Sequence, residues 1–224
     1  AYQNRVNRGY EAYQNRVNRG YEAYQNRVNG YIPLDVAIIL GESIMQNWVI
    51  IDEKYLNYLR AIEGRIPVSN YGVDKFKPFF GVLFEIDNLV YVTQISHAKE
   101  RHKHLKDNYD FYKIFIPDKN PTLPDRLVAV VNLNYMFPVP KSLIQNLEYK
   151  DIEKHRTFNS PAEKSAYIDL LNKEMAQINK MNFGIKAKKL YDLKQNFPDN
   201  SIAKRCLDFA NLEVYATKYV ERED

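Results

Sequence analysis

The sequence FFGVLFEIDNLVYVTQI at residues 79–95 decides the fold, because its two apolar runs have the composition of β-strands. Phe79–Ile86 and Val90–Ile95 are both rich in aromatic and β-branched residues. The segment Asp87–Leu89 between them is a short turn signal, which predicts a hairpin. The stretch therefore predicts the centre of an antiparallel sheet.

Further strands are predicted on both sides of this hairpin. Asn47–Ile51 is short and β-rich, and the apolar spacing after it predicts a helix from Glu53 to about Ile62. Phe111–Ile116 and Leu127–Leu133 extend the sheet. The proline-containing segment 134–140 is predicted to leave the sheet.

From Ser160 onward the pattern is helical. Ser160 followed by Pro161 is a typical helix start, and helices are predicted at about 161–181, 184–196 and 200–219. Strands that precede helices in this way indicate an α+β domain with a mostly antiparallel, barrel-like sheet.

Composition restricts the class of protein. The chain has 224 residues, 45% of them hydrophobic and 27% charged, which suits a folded domain with a core. No apolar run approaches the length of a membrane span, so no membrane association is expected. The single cysteine excludes an internal disulfide, and a reducing cytoplasm is the expected compartment. The net charge of +4 permits a polyanionic partner.

Residues 1–44 are expected to be a leader that is separate from the domain at residues 45–224. The unit AYQNRVNRGYE occurs at 1–11 and again at 12–22, and a third, altered copy begins at Ala23. Each copy has too little apolar surface to offset the entropy of ordering it, so disorder is predicted. An adhesive tail, a cloning-derived leader and the translation of a DNA-level repeat are the alternatives. The identity of the copies and a chain that starts with Ala favour the last.

The segment SHAKERHKH at residues 96–104 has the densest concentration of chemical groups and contains three of the four histidines. A metal site is the weaker interpretation, because no cysteine is near and the histidines do not share one helical face. A phosphate-binding surface, RNA cleavage by histidine, serine and lysine, and a merely solvated charged loop are the alternatives.

From Met45 onward the chain resembles the endoribonuclease toxins of type III toxin–antitoxin systems, the ToxN/AbiQ group with its CptN and TenpN relatives. The resemblance lies in five segments that occur in order. They are VIIDEKYLNYLR, KPFFGVLFEIDNLVYVTQIS, the Ser-x-x-Lys-x-x-His pattern, NLNYMFPVP and CLDFANLE.

This resemblance implies a twisted SH3-like barrel of the MazF/Kid type with C-terminal helices. It implies a metal-independent endoribonuclease without cofactors that cuts A-rich single-stranded RNA to a 2′,3′-cyclic phosphate and a 5′-hydroxyl. The implied partners are a repeat-derived antitoxin RNA pseudoknot, which bridges a homo-oligomer, and cellular or phage mRNA. The implied role is phage defence by abortive infection, and the resemblance offers an origin for residues 1–29 as antitoxin repeats that are translated as protein.

The resemblance also implies which residues act. Lys77, Ser96 and Lys99 match family positions, whereas His97 stands where the family has a second hydroxyl residue. Tyr71 is the tyrosine nearest to the family's tyrosine position, with a spacing that differs by about two residues. The expected RNA-binding residues are Lys75, Arg101, His102, Lys103 and His104.

Two other functions agree with the same residues. One is an RNA-binding module without catalytic activity, which keeps the basic loop and leaves RNA intact. The other is a structural protein that self-assembles through its repeats, and this alternative depends on residues 1–44.

Overall fold

The computed structural model describes residues 45–222 of the chain. The predicted leader at residues 1–44 lies outside the described residues and stays a prediction. None of the helices in the described part is long and apolar enough to cross a membrane.

The described chain begins with β-strands and ends with α-helices, as the α+β prediction required. The strands are β1 Asn47–Ile51, β2 Phe79–Gly81, β3 Glu85–Ile86, β4 Leu89–His97, β5 Phe111–Ile116, β6 Arg126–Asn132, β7 Phe137–Pro140 and β8 Ile144–Asn146. The helices are α1 Glu53–Ile62, α2 Pro161–Lys180, α3 Phe183–Asn196 and α4 Phe209–Val220. Short 3₁₀ turns lie at Glu100–His104, Leu133–Tyr135, Lys141–Leu143, Tyr149–Lys154 and Ala203–Arg205.

The strands form one antiparallel sheet in the order β5-β6-β4-β2-β1-β8, and β3 and β7 also pair with β4. The nine-residue β4 is the centre, since its first half pairs with β3 and β7 and its second half with β2 and β6. β5 and β8 are the ends of this order. Within residues 45–222 the sheet is therefore open, and the predicted barrel closure is not present in its hydrogen-bond pattern.

The predicted strand Phe79–Ile86 is interrupted, so that part of the prediction was wrong. It divides into β2 and β3. Leu83 and Phe84 lie between these two strands, and their side chains are fully buried in the core. A Cβ atom on Gly81 would lie 2.9 Å from Cγ1 of Val92, so glycine permits the close approach of β2 to β4. The hairpin turn itself is shorter than predicted, because Leu89 already belongs to β4.

The prediction that residues 134–140 leave the sheet was also wrong. Phe137–Pro140 is β7, which pairs with the first half of β4. Its prolines alternate with Phe137 and Val139, so the missing N–H groups fall on alternate residues of a short strand. β8, which pairs with β1, has no signal in the sequence because Ile144–Asn146 is short and mostly polar.

The helix predictions at 161–181 and 184–196 are confirmed to within one residue at each end. The prediction at 200–219 was wrong at its start, because a 3₁₀ turn precedes α4 and the helix begins only at Phe209. The Asp208 carboxylate caps α4 by accepting a hydrogen bond from the backbone N–H of Asn211 at 3.3 Å. Ser160 caps α2 in the same way through the N–H of Glu163 at 3.2 Å.

Helix α2 is hydrogen-bonded at three places along its length to β1, to the residue before β1 and to the loop before β2. The Tyr167 hydroxyl donates to the carbonyl of Phe76 at 2.9 Å, and the Trp48 indole N–H donates to the carbonyl of Leu171 at 3.0 Å. Nearer the C-terminal end, the Asn179 amide donates to the carbonyl of Gln46 at 3.2 Å. These bonds hold α2 against the sheet, so that it forms one wall of a groove.

Candidate active site

The loop before β2 places Tyr71 beside Lys77. The Lys77 ammonium lies 4.8 Å from the centroid of the Tyr71 ring, within the range of a cation–π interaction. The backbone N–H of Tyr71 donates to the carbonyl of Lys75 at 3.0 Å, and that of Lys77 donates to the carbonyl of Ser69 at 2.8 Å. Gly72, at φ +134°, permits the tight reversal between them. Two residues predicted to act together are therefore in contact.

Gln94 fastens this loop to β4, and the sequence analysis did not identify it. Its side-chain amide donates to the carbonyls of Val68 and Lys77, both at 2.9 Å. The Tyr71 hydroxyl lies 3.5 Å from the Gln94 side-chain oxygen. Gln94 is 7% exposed, and its only signal in the sequence is a polar residue within an apolar strand. It positions the residues that carry the candidate chemistry.

The surroundings of Tyr71 favour its protonated form. Burial raises the pKa of the Tyr71 phenol, and this effect outweighs the opposing effects of a hydrogen bond from the Val68 backbone and of the Arg60 charge. The phenol therefore holds its proton at neutral pH, and Tyr71 is suited to donating a hydrogen bond or a proton.

Ser96 and His97 lie at the end of β4 on opposite faces. Alternation along the strand places Ser96 on the face of Gln94, and His97 on the face of Ile95. Ser96 is therefore on the Gln94 face of β4, whereas exposed His97 lines the α2 groove. Lys77 lines the same groove, and its ammonium also lies over the Tyr71 ring, so it connects His97 with Tyr71.

Lys99 begins the 3₁₀ turn Glu100–His104, and its position depends on His102. The backbone N–H of Lys99 donates to Nδ1 of His102 at 3.0 Å, and the N–H of His102 donates to the carbonyl of Lys99 at 2.8 Å. The Lys99 side chain is exposed. This reciprocal pair fixes the backbone from which the lysine extends.

His102 was expected to bind RNA, but its placement favours a role within the protein. It is 7% exposed, and its ring lies edge-on to Phe111 with the centroids 5.9 Å apart. Burial lowers the pKa of His102, and the charges of Arg101 and Lys99 lower it further. A neutral ring with an unprotonated Nδ1 is the form that accepts the bond from Lys99.

The other expected RNA-binding residues are exposed cations or an exposed imidazole. Arg101, Lys103 and His104 lie on the 3₁₀ turn, and Lys75 lies in the loop before β2. The Lys103 ammonium pairs with Glu100 at 2.9 Å on the surface, which leaves it accessible. These side chains suit phosphate contacts at the edge of the site.

The side chains of residues 45–222 form no candidate metal-binding site. Among residues 45–222, no group of three or more His, Cys, Asp or Glu side chains could hold a metal ion. Of the three histidines in the 96–104 segment, His102 is buried and its Nδ1 accepts a hydrogen bond from Lys99.

A groove of about 570 Å³ separates the end of β4 from helix α2. Lys75, Lys77 and His97 line its sheet side, and Tyr167, Leu170 and Leu171 line its helix side. Four further charged residues that the sequence analysis did not identify as site residues also line the groove, and they are Asp74, Arg156, Glu163 and Glu174. Tyr167, Leu170 and Leu171 have the spacing of one face of a helix, which gives no local sign that this face borders an open groove.

A family model and a curated relative match this chain. The model of the family described as toxin ToxN, type III toxin–antitoxin system, matches residues 47–217. The endoribonuclease ToxN of Pectobacterium atrosepticum is 23% identical over 121 residues. That match covers 54% of this chain and 66% of the relative, slightly under two thirds of the relative's length.

Solved structures share the fold. One, from a bacterial type III system in which a non-coding RNA pseudoknot inhibits the toxin, aligns with a TM-score of 0.60 and 20% identity, over 80% of this chain and 99% of that chain. AbiQ, a lactococcal anti-phage endoribonuclease, aligns with a TM-score of 0.61 and 18% identity over the same shares. A third, from a bacterial antiviral system that a processed non-coding RNA regulates, has a TM-score of 0.57 and 19% identity, over 76% and 97%. Because the family model spans most of the chain, the protein belongs to the ToxN family of toxins of type III toxin–antitoxin systems.

Proposed function

We propose that the protein is an endoribonuclease toxin whose cleavage centre consists of Tyr71, Lys77, Ser96, His97 and Lys99. The contact between Lys77 and Tyr71 carries this proposal, since it joins a cation and a protonated phenol at the edge of the sheet. Family membership and the resemblance of the chain to the endoribonuclease ToxN support the same conclusion.

The proposed reaction uses the ribose of the RNA as its own nucleophile. The 2′-oxygen forms a bond to the neighbouring phosphorus while the bond from phosphorus to the 5′-oxygen breaks. This leaves a 2′,3′-cyclic phosphate and a 5′-hydroxyl. A base must take the 2′-proton, and an acid must give a proton to the departing 5′-oxygen. The step requires neither an oxidant nor a cofactor.

The residues divide these tasks according to their surroundings. Lys77 and Lys99 stabilise the negative charge that develops on the phosphate. Tyr71 is the proposed acid, because its phenol carries a proton at neutral pH and its ring lies beside the Lys77 ammonium. His97 is the proposed base, because it lines the same groove as Lys77, and Ser96, the preceding residue of β4, is proposed to orient the phosphate.

The substrate, the inhibitor and the biological role belong to the same proposal. We infer that the toxin cuts A-rich single-stranded RNA of the cell or of an infecting phage, in the cytoplasm and without a metal. A repeat-derived RNA pseudoknot inhibits it and bridges several copies of the chain, and release of the toxin aborts phage infection. The open sheet is proposed to be a variant of the SH3-like barrel of MazF- and Kid-type toxins.

An RNA cleavage assay tests the function. The purified chain is incubated with A-rich single-stranded RNA in EDTA, together with the variants Lys77→Ala and Lys119→Ala. Lys119 is an exposed lysine in the loop between β5 and β6, so Lys119→Ala removes the same charge as Lys77→Ala and serves as its control. We expect the parent and Lys119→Ala to cut equally and Lys77→Ala to lose activity by about 100-fold or more. Binding of intact RNA by the parent would instead indicate an RNA-binding module without catalytic activity.

The leader requires a separate experiment. We propose that residues 1–29 are read from antitoxin repeats and that the whole leader at residues 1–44 is dispensable for toxicity. Expression of residues 45–224 is expected to arrest growth as the full chain does, and an untranslated RNA from the upstream repeats is expected to relieve the arrest. A change in oligomeric state or a loss of toxicity on deletion of 1–44 would favour a repeat-driven assembly.

A further inference from the structure

The groove between α2 and the end of β4 borders the face of β4 that carries Ile95 and His97, and Gln94 lies on the other face. Its walls are largely apolar, and its volume of about 570 Å³ is within the range of small-molecule sites. The apolar lining residues are Phe76, Pro78, Ile95, Ala166, Leu170 and Leu171. The proposed cleavage centre accounts for Lys77 and His97 here, but it does not account for two polar groups on the other wall.

The first of these groups is the carboxyl of Glu174. It is 5% exposed, it lines the groove, and it has no hydrogen-bond or ion-pair partner among residues 45–222. Burial raises the pKa of Glu174 from 4.5 to about 7. A buried polar group without a partner is costly, so it calls for a ligand or a functional explanation.

The second group is the guanidinium of Arg156. It lies 4.4 Å from the centroid of the Tyr167 ring and 5.2 Å from that of Phe158. One terminal nitrogen donates to the Glu163 carboxylate at 3.0 Å. Its Nε is buried and has no partner within the described residues. Arg156 is therefore a cation that is held in place at the wall of the same groove.

We propose that this groove binds one nucleotide of the RNA strand, with the base between the apolar walls, Glu174 hydrogen-bonded to the edge of the base, and Arg156 and Lys77 against the phosphate. This inference rests on the proposed function, since it takes RNA as the ligand. A nucleobase has apolar faces and a polar edge, and the groove presents the matching surfaces. A protonated carboxyl offers a donor beside an acceptor, which is the arrangement that base edges also present.

Binding by Glu174 depends on pH, because the ionised carboxylate keeps only acceptors. Other charged or titratable side chains also face the groove and must be separated from its effect. They are Asp74, Lys75 and Lys77 from the loop before β2, His97 from β4, Arg156 from the segment before α2, and Glu163 and Tyr167 from α2 itself. A Glu174→Gln variant retains all of them and keeps a donor beside an acceptor at every pH. The comparison of this variant with the parent therefore isolates Glu174.

Titration of the full chain with each of the four nucleoside 3′-monophosphates tests the inference, since these probes contain no linkage to cut. Trp48 is the single tryptophan of the chain, and its indole donates to the carbonyl of the groove residue Leu171, so its fluorescence reports binding. We expect at least one probe to bind the parent more weakly at pH 8.5 than at pH 6. We expect Glu174→Gln to show less of this pH dependence, and Glu174→Leu to bind at least 10-fold more weakly at pH 6. Glu148→Gln, an exposed matched control, is expected to behave as the parent.

The possible outcomes separate this inference from the proposed function. If no probe binds while the chain still cuts RNA, the nucleotide site is wrong and the cleavage proposal stands. If a probe binds in a Glu174-dependent way while RNA stays intact, the nucleotide site stands and the cleavage proposal is wrong. Equal binding by the parent and Glu174→Leu would overturn the role of Glu174, and calorimetry with the same probes checks the fluorescence result.

Discussion

The ammonium of Lys77 lies over the ring of Tyr71, 4.8 Å from its centroid. A reversal of the chain at Gly72 produces this contact, and the Gln94 side chain holds the loop on β4. The position of the cation is therefore set by tertiary structure, and the position of the phenol is set with it. The two side chains have separable tasks, which substitutions can distinguish.

Replacement of Tyr71 by Phe is expected to slow RNA cleavage by about 10²- to 10⁴-fold and to leave RNA binding nearly unchanged. The ring beneath Lys77 is kept, but the proton donor is lost. Tyr71→Leu is expected to lose the same activity and, in addition, the cation–π contact of about 0.5–1 kcal/mol. Single-turnover rates and RNA affinities measured in parallel check the prediction. A Tyr71→Phe variant that cuts at the parent rate would remove Tyr71 as the acid.

Replacement of His97 by Ala is expected to lower the cleavage rate by at least about 100-fold, because His97 is the proposed base. Ser96→Ala is expected to cost about 10-fold, since Ser96 orients the phosphate but carries no proton in the reaction. His104→Ala is the matched control, because His104 is an exposed imidazole on the neighbouring turn. The same single-turnover assay compares all three variants. If the effects of Ser96→Ala and His97→Ala were reversed, the hydroxyl rather than the imidazole would be the base.

Stability at acidic pH is expected to depend on His102. Burial and the charges of Arg101 and Lys99 lower the pKa of His102 below its usual 6.5, so the unfolded chain binds a proton more readily than the folded chain. The stabilisation by His102 is therefore complete above pH 6.5 and is lost as the pH falls below it. A His102→Phe variant is expected to be about 1 kcal/mol less stable than the parent at pH 8, with a smaller difference at pH 5. Urea unfolding at the two pH values measures this, and a difference that grows at pH 5 would contradict it.

Glu174 is expected to have the opposite pH dependence. Burial raises its pKa from 4.5 to about 7, so the folded chain holds a proton that the unfolded chain releases between these values. The free energy of unfolding of the parent therefore falls as the pH rises through this window and then levels off. Glu174→Gln is expected to be as stable as the parent near pH 4.5 and roughly 2–3 kcal/mol more stable at pH 8.5. Thermal unfolding across this range checks it, and parallel curves for the two proteins would show that Glu174 is not buried as described.

Local signals in the sequence predicted much of the fold. β1, β5 and α1 lie where composition and apolar spacing placed them, and Ser160 caps α2 as predicted. β7 and β8 were missed because prolines and polar residues obscure strands whose partners are distant in the sequence. The division of Phe79–Ile86 depends on the close approach of Gly81 to Val92, which no local pattern reveals.

The residues of the candidate site likewise include some that local sequence signals indicated and some that they did not. Lys77, Ser96, His97 and Lys99 were predicted as site residues because they are close together in the sequence or match family positions. Gln94 and Glu174 were missed because each is a single polar residue within an apolar element, and its meaning depends on a neighbour that tertiary structure supplies. The burial of His102 was missed because its sequence neighbours are charged and exposed.

Identification of the ends of the cleaved RNA tests the central claim most directly. The purified chain is incubated with A-rich single-stranded RNA in EDTA, and the products are analysed by mass spectrometry. We expect fragments with a 2′,3′-cyclic phosphate at one end and a 5′-hydroxyl at the other, at a rate that depends on Lys77. Fragments with a 5′-phosphate and a 3′-hydroxyl, or RNA that remains intact, would contradict the account.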